Sequence, residues 1–244
     1  MDIKKLSLST IGILVSFSSL WAEDTPKAWA HESEAQVVIV GGNSETETYS
    51  AKQETKYRFT ENELTLKAQY LYGKIEEIKG AENWSFSLRY DRYLSDRFSL
   101  FVAHGWSGDQ FAGYDHRHDT DIGAKFYWIK NDDKNYLFSE LGYRYGFIDY
   151  AYSDDTDSAH IIRFYSEAAH TVTESLFAKL WIEALPDVKE SENFVFKFEP
   201  SLNFTVSKYF TFKAAYQGTY DGLPAVDGLK KYDHQTTLAL VAKY

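Results

Sequence analysis

The stretch that decides the fold runs from Asn193 to Thr205 and reads NFVFKFEPSLNFT. Apolar residues occupy every second position from Phe194 onward, and polar or charged residues fill most of the positions between them. A period of two is the repeat of a β-strand, whose successive side chains point to opposite faces of the sheet. The pattern therefore predicts a strand with one face toward hydrocarbon and the other toward water.

The same alternation recurs along the chain, clearly in Trp84–Asp91, Asp121–Trp128 and Phe210–Tyr220. We count twelve such segments, at 33–41, 47–58, 63–72, 83–94, 97–107, 119–130, 135–147, 159–170, 174–185, 193–205, 209–220 and 233–244. Single-chain bacterial outer-membrane barrels have even strand counts. We therefore predict an all-β fold, a closed antiparallel up-and-down transmembrane β-barrel of about twelve strands.

The connections between these segments alternate in length. The tight ones are Thr60–Asn62, Ser95–Asp96, Asn131–Lys134, Thr171–Thr173 and Val206–Lys208. The longer ones are Gly73–Glu82, Gly108–His118, Asp149–Ser158, Pro186–Glu192 and Asp221–Tyr232. This sorting predicts short periplasmic turns and longer extracellular loops.

The N-terminus has the layout of a cleavable secretory signal, with Lys4 and Lys5 before the apolar run Leu6–Leu20 and a small residue, Ala22, at the cleavage point. We assign residues 1–22 to this signal and residues 23–244 to a single barrel domain. Cleavage after Ala30 and an uncleaved anchor helix are the alternatives. Export to the outer membrane follows from the signal and the strand pattern together.

Composition narrows the function classes. Aromatic residues make up 17% of the chain, which suits interfacial girdles, and there is no cysteine. No later apolar run approaches the roughly 18 residues of a membrane-spanning helix. The sequence has no Gly-rich phosphate loop and no basic patch for nucleic acid, so we expect neither a cofactor nor a nucleic-acid partner.

Strand parity divides the charges between the two faces. Twelve basic and eight acidic residues fall on the predicted inward face, while the formal net charge of the chain is −10, so the acidity concentrates in the long loops. Charges held away from bulk water need partners, which predicts a network of ion pairs. The candidate members are Arg89, Asp91, Asp121, Lys125, Glu140, Arg144, Arg163, Glu167, Lys197 and Glu199. Glu140 and Arg144 share a face of one strand, as do Arg163 and Glu167; whether such side chains plug the lumen or leave a narrow channel stays open.

A second cluster lies in and just after the third long loop, at the predicted mouth of the barrel. Its members are Asp109, Asp115, His116, Arg117, His118 and Asp119. Carboxylate and imidazole groups together could position a hydrolytic water, although no metal-ligand spacing is matched. The alternative is a solvated loop that braces the mouth.

The chain ends in an alternating strand with Leu238, Leu240, Ala242 and the terminal Tyr244 on one face. It resembles the C-terminal strand by which the barrel-assembly machinery recognises outer-membrane proteins. We expect that machinery, outer-membrane lipid and lipopolysaccharide as partners, and a monomer. The acidic rim could hold Ca²⁺ or Mg²⁺ against lipopolysaccharide phosphates.

Several short pieces resemble the salt-induced outer-membrane protein family, domain of unknown function 481. They are Gly41, Gly42 and Asn43 with Thr46 and Thr48, Arg89–Ser95, Asp109–Gly113 with Arg117 and Gly123, Glu140–Tyr143, and Tyr220, Asp221 and Asp233. The chain departs at Gln110, where the family has Arg. The resemblance implies an outer-membrane barrel with a link to salt or osmotic stress, and it brings no catalytic residues.

Three functions follow as hypotheses. The first is a non-enzymatic barrel, either structural or a narrow pore with a charged polar lumen. The second is an outer-membrane hydrolase that uses the cluster from Asp115 to His118. The third is a protein for surface adhesion or envelope contact that acts through acidic extracellular loops.

Overall fold

The fold is a closed barrel of twelve strands in the computed structural model, which describes residues 28–40, 46–75, 78–151, 154–224 and 230–244. The strands are β1 (Trp29–Val40), β2 (Thr46–Phe59), β3 (Asn62–Ile75), β4 (Ile78–Tyr93), β5 (Phe98–Asp109), β6 (Tyr114–Asp132), β7 (Asn135–Tyr150), β8 (Thr156–Thr173), β9 (Leu176–Pro186), β10 (Phe194–Thr205), β11 (Phe210–Asp221) and β12 (Tyr232–Lys243). Each pairs antiparallel with the next, which confirms the predicted up-and-down barrel. No helix in this part of the chain is both long and apolar enough to cross a membrane.

Pairing of β1 with β12 closes the barrel. Residues Glu32 to Ala35 lie opposite Leu240 to Lys243 in antiparallel register. Beyond them, the backbones of His31 and Tyr244 exchange two hydrogen bonds of 3.0 and 3.1 Å. Closure satisfies the edge groups that a membrane could not hydrate, which is why barrels and not open sheets span bilayers.

The faces of the strands are inverted relative to those of a soluble protein. On β8, Ile161 and Arg163 point inward and are 4% and 8% exposed, whereas Ile162 and Phe164 point outward and are each 41% exposed. The outward face carries a continuous set of Leu, Phe, Trp and Tyr side chains, including Leu88, Trp106 and Leu141, and the inward face carries most of the charges. This is the pattern of a sheet whose outer surface contacts lipid.

The two ends of the barrel differ. One, called the turn end below, holds both termini of the barrel and the connections 60–61, 94–97, 133–134, 174–175 and 206–209. The other, the loop end, holds the longest connections, 187–193 and 222–231. The strands run further toward the loop end than the sequence predicts, because β5 and β6 stay paired as far as Asp109 and Tyr114 and only residues 110–113 separate them.

Some predictions fall outside the described residues. They are the signal peptide at residues 1–22 and the Gly41, Gly42 and Asn43 motif. Parts of the loop-end connections, at 41–45, 76–77, 152–153 and 225–229, lie outside them as well.

Candidate functional site in the barrel lumen

An aromatic platform on the inner wall holds the first arginine of the lumen. Gly123 of β6 and Gly142 of β7 lie opposite each other and leave the wall bare, so that the ring of Phe101 can approach it. A Cβ added to Gly123 would come within 2.7 Å of the Phe101 ring. The guanidinium of Arg89 lies 4.0 Å from the centre of that ring, a favourable cation–π geometry.

Arg89 connects two carboxylates in the lumen. Its Nε and Nη2 each donate to Asp91 at 2.7 Å, and its Nη1 and Nη2 donate to Glu140 at 3.0 and 2.8 Å. Asp91 and Glu140 are only 2% and 3% exposed. Arg89 lies on β4 and Glu140 on β7, so this contact passes over the inner faces of β5 and β6 rather than joining neighbouring strands.

Arg163 extends the chain of contacts from Glu140 toward β9. Its Nη1 donates to Glu140 at 2.7 Å and its Nε donates to Glu183 at 2.7 Å. Both contacts join diagonal positions on neighbouring strands, a separation of about 7–8 Å that long side chains can span. Glu140 therefore accepts hydrogen bonds from two arginines that approach from different sides.

Arg144 and Arg117 complete the cluster. Arg144 donates to Asp121 through Nε at 2.6 Å and Nη2 at 2.8 Å, and its Nη1 lies 3.8 Å from Asp119. Arg117 donates from Nε to Asp119 at 3.1 Å. We call the connected set the arginine network; it comprises Arg89, Arg117, Arg144, Arg163, Asp91, Asp119, Asp121, Glu140 and Glu183.

The structure pairs these charges differently from the within-strand spacing noted in the sequence. Glu140 and Arg144 share a face of β7, but they do not bind each other. Arg163 and Glu167 share a face of β8, and they do not bind each other either. Residues four apart in a strand are separated by about 13 Å, too far for a direct ion pair. Glu167 instead binds Lys179 at 3.0 Å and accepts hydrogen bonds from the hydroxyls of Tyr136 and Tyr165, each at 2.5 Å.

A smaller cluster on the opposite wall contains Glu199, the last carboxylate among the lumen candidates. Lys213 lies 3.0 Å from Glu199 and 3.2 Å from Glu34, which also pairs with Lys52 at 3.4 Å. The sequence interpretation omitted Glu34, although its place in the register of β1, opposite Lys52, would have revealed it. With Glu34 and Asp119 facing inward, the charges of the lumen are closer to balance than the predicted basic excess.

Two predicted lumen residues have no carboxylate partner among the described residues. Lys125 lies over the rings of Phe138 and Tyr127, with its Nζ 4.1 and 4.8 Å from their centroids. Lys197 forms no ion pair, hydrogen bond or ring contact in the described part of the chain.

The predicted mouth cluster does not assemble as one site. It lies mostly on β6, so its side chains alternate between the two faces of the wall. Arg117 and Asp119 point into the lumen, whereas His118 stacks on Trp106 at 5.8 Å, with an angle of 9° between the rings, on the outer face.

The remaining members of that cluster have structural partners. His116 packs on the outer face beside Trp84 and Trp106. Asp109 accepts a backbone hydrogen bond from Ala112 at 2.9 Å, and Asp115 accepts one from the Gln110 side chain at 2.9 Å. No group of three or more potential metal ligands occurs among the described residues. The hydrolytic arrangement that the sequence suggested is therefore not formed, because imidazoles and carboxylates at alternate positions of a strand face opposite ways.

The model of the family described as "Protein of unknown function, DUF481" matches residues 34–244. The chain belongs to this family. A search of the curated proteins gives no match.

Solved structures share the barrel of this DUF481 chain. The COG4313 outer membrane channel from Pseudomonas putida F1 aligns with a TM-score of 0.50 and 9% identity, over 88% of this chain and 94% of that one. The KdgM porin (TM-score 0.48, 9% identity) and the NanC porin (0.47, 11%) each align over 88% of this chain and 98% of theirs. At these identities the similarity shows an outer-membrane barrel fold alone.

Proposed function

We propose that this chain is a non-enzymatic outer-membrane protein that forms a narrow pore, restricted within the lumen by the arginine network. Its outward apolar face suits a lipid bilayer, with the turn end in the periplasm. A role in salt or osmotic stress, implied by the family resemblance, belongs to the same proposal, and growth of a deletion strain at raised osmolarity would test it.

The observation that carries the proposal is the position of Glu140 between Arg89 and Arg163. A twelve-stranded barrel is wider than the eight-stranded kind that ordinary side chains just fill. Long arginine and glutamate side chains that meet in the lumen, with Glu140 only 3% exposed, narrow it without a separate plug.

Planar-bilayer recording tests this restriction. The purified barrel should give small unitary currents. The double substitution Glu140→Gln with Arg163→Gln keeps the net charge and removes the central contacts, so it should give larger current steps.

The matched control is Glu32→Gln with Lys243→Gln. This pair lies at the turn end, 3.0 Å apart and half exposed, outside the arginine network. It should behave like the wild type. Wild-type steps as large as those of the network variant would refute the restriction, and no current from any folded variant would favour a purely structural barrel.

A further inference from the structure

Lys197 is a half-buried cation that forms no ion pair or hydrogen bond among the described residues. It lies directly across from Glu183 in the ladder between β10 and β9, and the charged groups around it are Glu183, Asp119, Arg117 and Arg144. Yet Glu183 is bound by Arg163 at 2.7 Å and approached by Arg144 at 3.7 Å. Both contacts fall on Oε1 of Glu183, and Lys197 forms no ion pair or hydrogen bond with this carboxylate within the described residues, so its three N–H donors are unused.

The neighbouring arginines also have hydrogen-bond donors to spare. Arg117 uses Nε on Asp119, and neither of its Nη atoms makes a hydrogen bond within the described residues. Arg144 uses Nε and Nη2 on Asp121, while its Nη1, 3.8 Å from Asp119, is beyond hydrogen-bond distance. A guanidinium carries five N–H donors and an ammonium group carries three, so each of these three cations has donors that no described residue accepts. These unused donors lie in the same part of the lumen.

The excess of positive charge around the arginine network also favours the binding of an anion. Each of the five carboxylates of the arginine network is bound by an arginine. Counting Lys125 and Lys197 with the four arginines gives six cations against these five anions. Lys125 lies over the rings of Phe138 and Tyr127, whose faces attract a cation, whereas Lys197 has no such contact.

We propose that Lys197, together with Arg117 and Arg144 of the arginine network, forms a binding site for a small oxyanion on the side of the network nearer the loop end. An oxyanion presents several acceptors to unused N–H donors and supplies the missing negative charge. The site adds a solute class, small oxyanions, to the proposed pore function. It rests on that pore function only for the route by which the anion reaches the lumen.

Inorganic phosphate is the probe, and equilibrium dialysis of the purified full-length barrel in detergent is the measurement. The wild type should bind one phosphate. Lys197→Met should weaken binding about tenfold or more, the loss expected for a charge-assisted hydrogen bond. Lys197→Arg keeps the charge and should retain binding.

The matched control is Lys125→Met, which removes the same charge from the lysine that lies on aromatic rings. It should bind phosphate like the wild type. Heat-dependent migration in SDS gels checks that every variant is folded. Absence of wild-type binding, equal binding by Lys197→Met, or equal losses in both methionine variants would each overturn the site. Because dialysis needs no current, these outcomes are separable from failure of the pore.

Discussion

Arg89 and Glu140 lie 51 positions apart in the sequence, yet they are joined by two hydrogen bonds of 3.0 and 2.8 Å inside the barrel. The pair links β4 to β7, and Arg163 binds the same carboxylate from β8. Glu140 therefore connects parts of the wall that share no backbone ladder. Its substitution should affect stability more than that of any carboxylate paired locally.

Glu140→Gln should destabilise the folded barrel by about 3 kcal/mol, because removal of one partner leaves buried arginine charge uncompensated. Equilibrium urea unfolding in lipid vesicles, followed by tryptophan fluorescence, measures this. The control Glu32→Gln removes a carboxylate that is 46% exposed beside Lys243 and should cost less than about 1 kcal/mol. Equal losses in the two variants would contradict the central role of Glu140.

Gly123→Ala should cost about 1–3 kcal/mol by overpacking. The new methyl group would meet the Leu141 carbonyl oxygen at 2.6 Å and the Phe101 ring at 2.7 Å, and so would displace the platform under Arg89. Gly105→Ala is the matched control on the inner wall, since the nearest atoms to its added Cβ are 3.9 Å away. The same unfolding assay applies, and a Gly123→Ala protein as stable as the control would show that the ring does not lie against the wall.

The seam between β1 and β12 can be tested with cysteines because the chain has none of its own. Glu32 and Lys243 are cross-strand partners, so Glu32→Cys with Lys243→Cys should form a disulfide in the folded barrel. The bond would nearly circularise the chain, which changes migration of the heat-denatured protein in a non-reducing gel. The pair Glu32→Cys with Asp233→Cys, whose second cysteine lies at the far end of β12, should remain unlinked; linkage there instead would mean a different register.

The terminal residue should matter for assembly. Tyr244 stacks on His31, with 5.2 Å between ring centroids, and directly follows β12, the strand that resembles an assembly signal. Tyr244→Phe should reach the outer membrane normally, whereas Tyr244→Ser should lower the folded amount several-fold at equal synthesis. Quantitative blotting of membrane fractions decides this, and equal levels of the two variants would remove the aromatic residue from the predicted signal.

Strand parity, the assignment of alternate residues to opposite faces of a strand, correctly predicted many of the charged residues in the lumen. Parity requires only the local alternation of a strand, so it placed Arg89, Asp121 and Arg163 on one side of the wall without any knowledge of neighbouring strands. It failed at the mouth cluster, because the sequence interpretation treated residues 115–118 as loop. Once β6 begins at Tyr114, the same rule separates His116 and His118 from Arg117 and Asp119.

The sequence by itself determined the barrel: twelve alternating segments, their order and the faces of most of the side chains within those segments, since all of these follow from a repeat of two residues. The tertiary structure alone decided which charges meet. Arg89 reaches Glu140 only because closure and curvature bring β4 and β7 around one lumen. Glu183 binds Arg163 of β8, although Lys197 of β10 lies directly across the ladder from it. Such contacts depend on the register of every intervening strand, information that a local pattern does not carry.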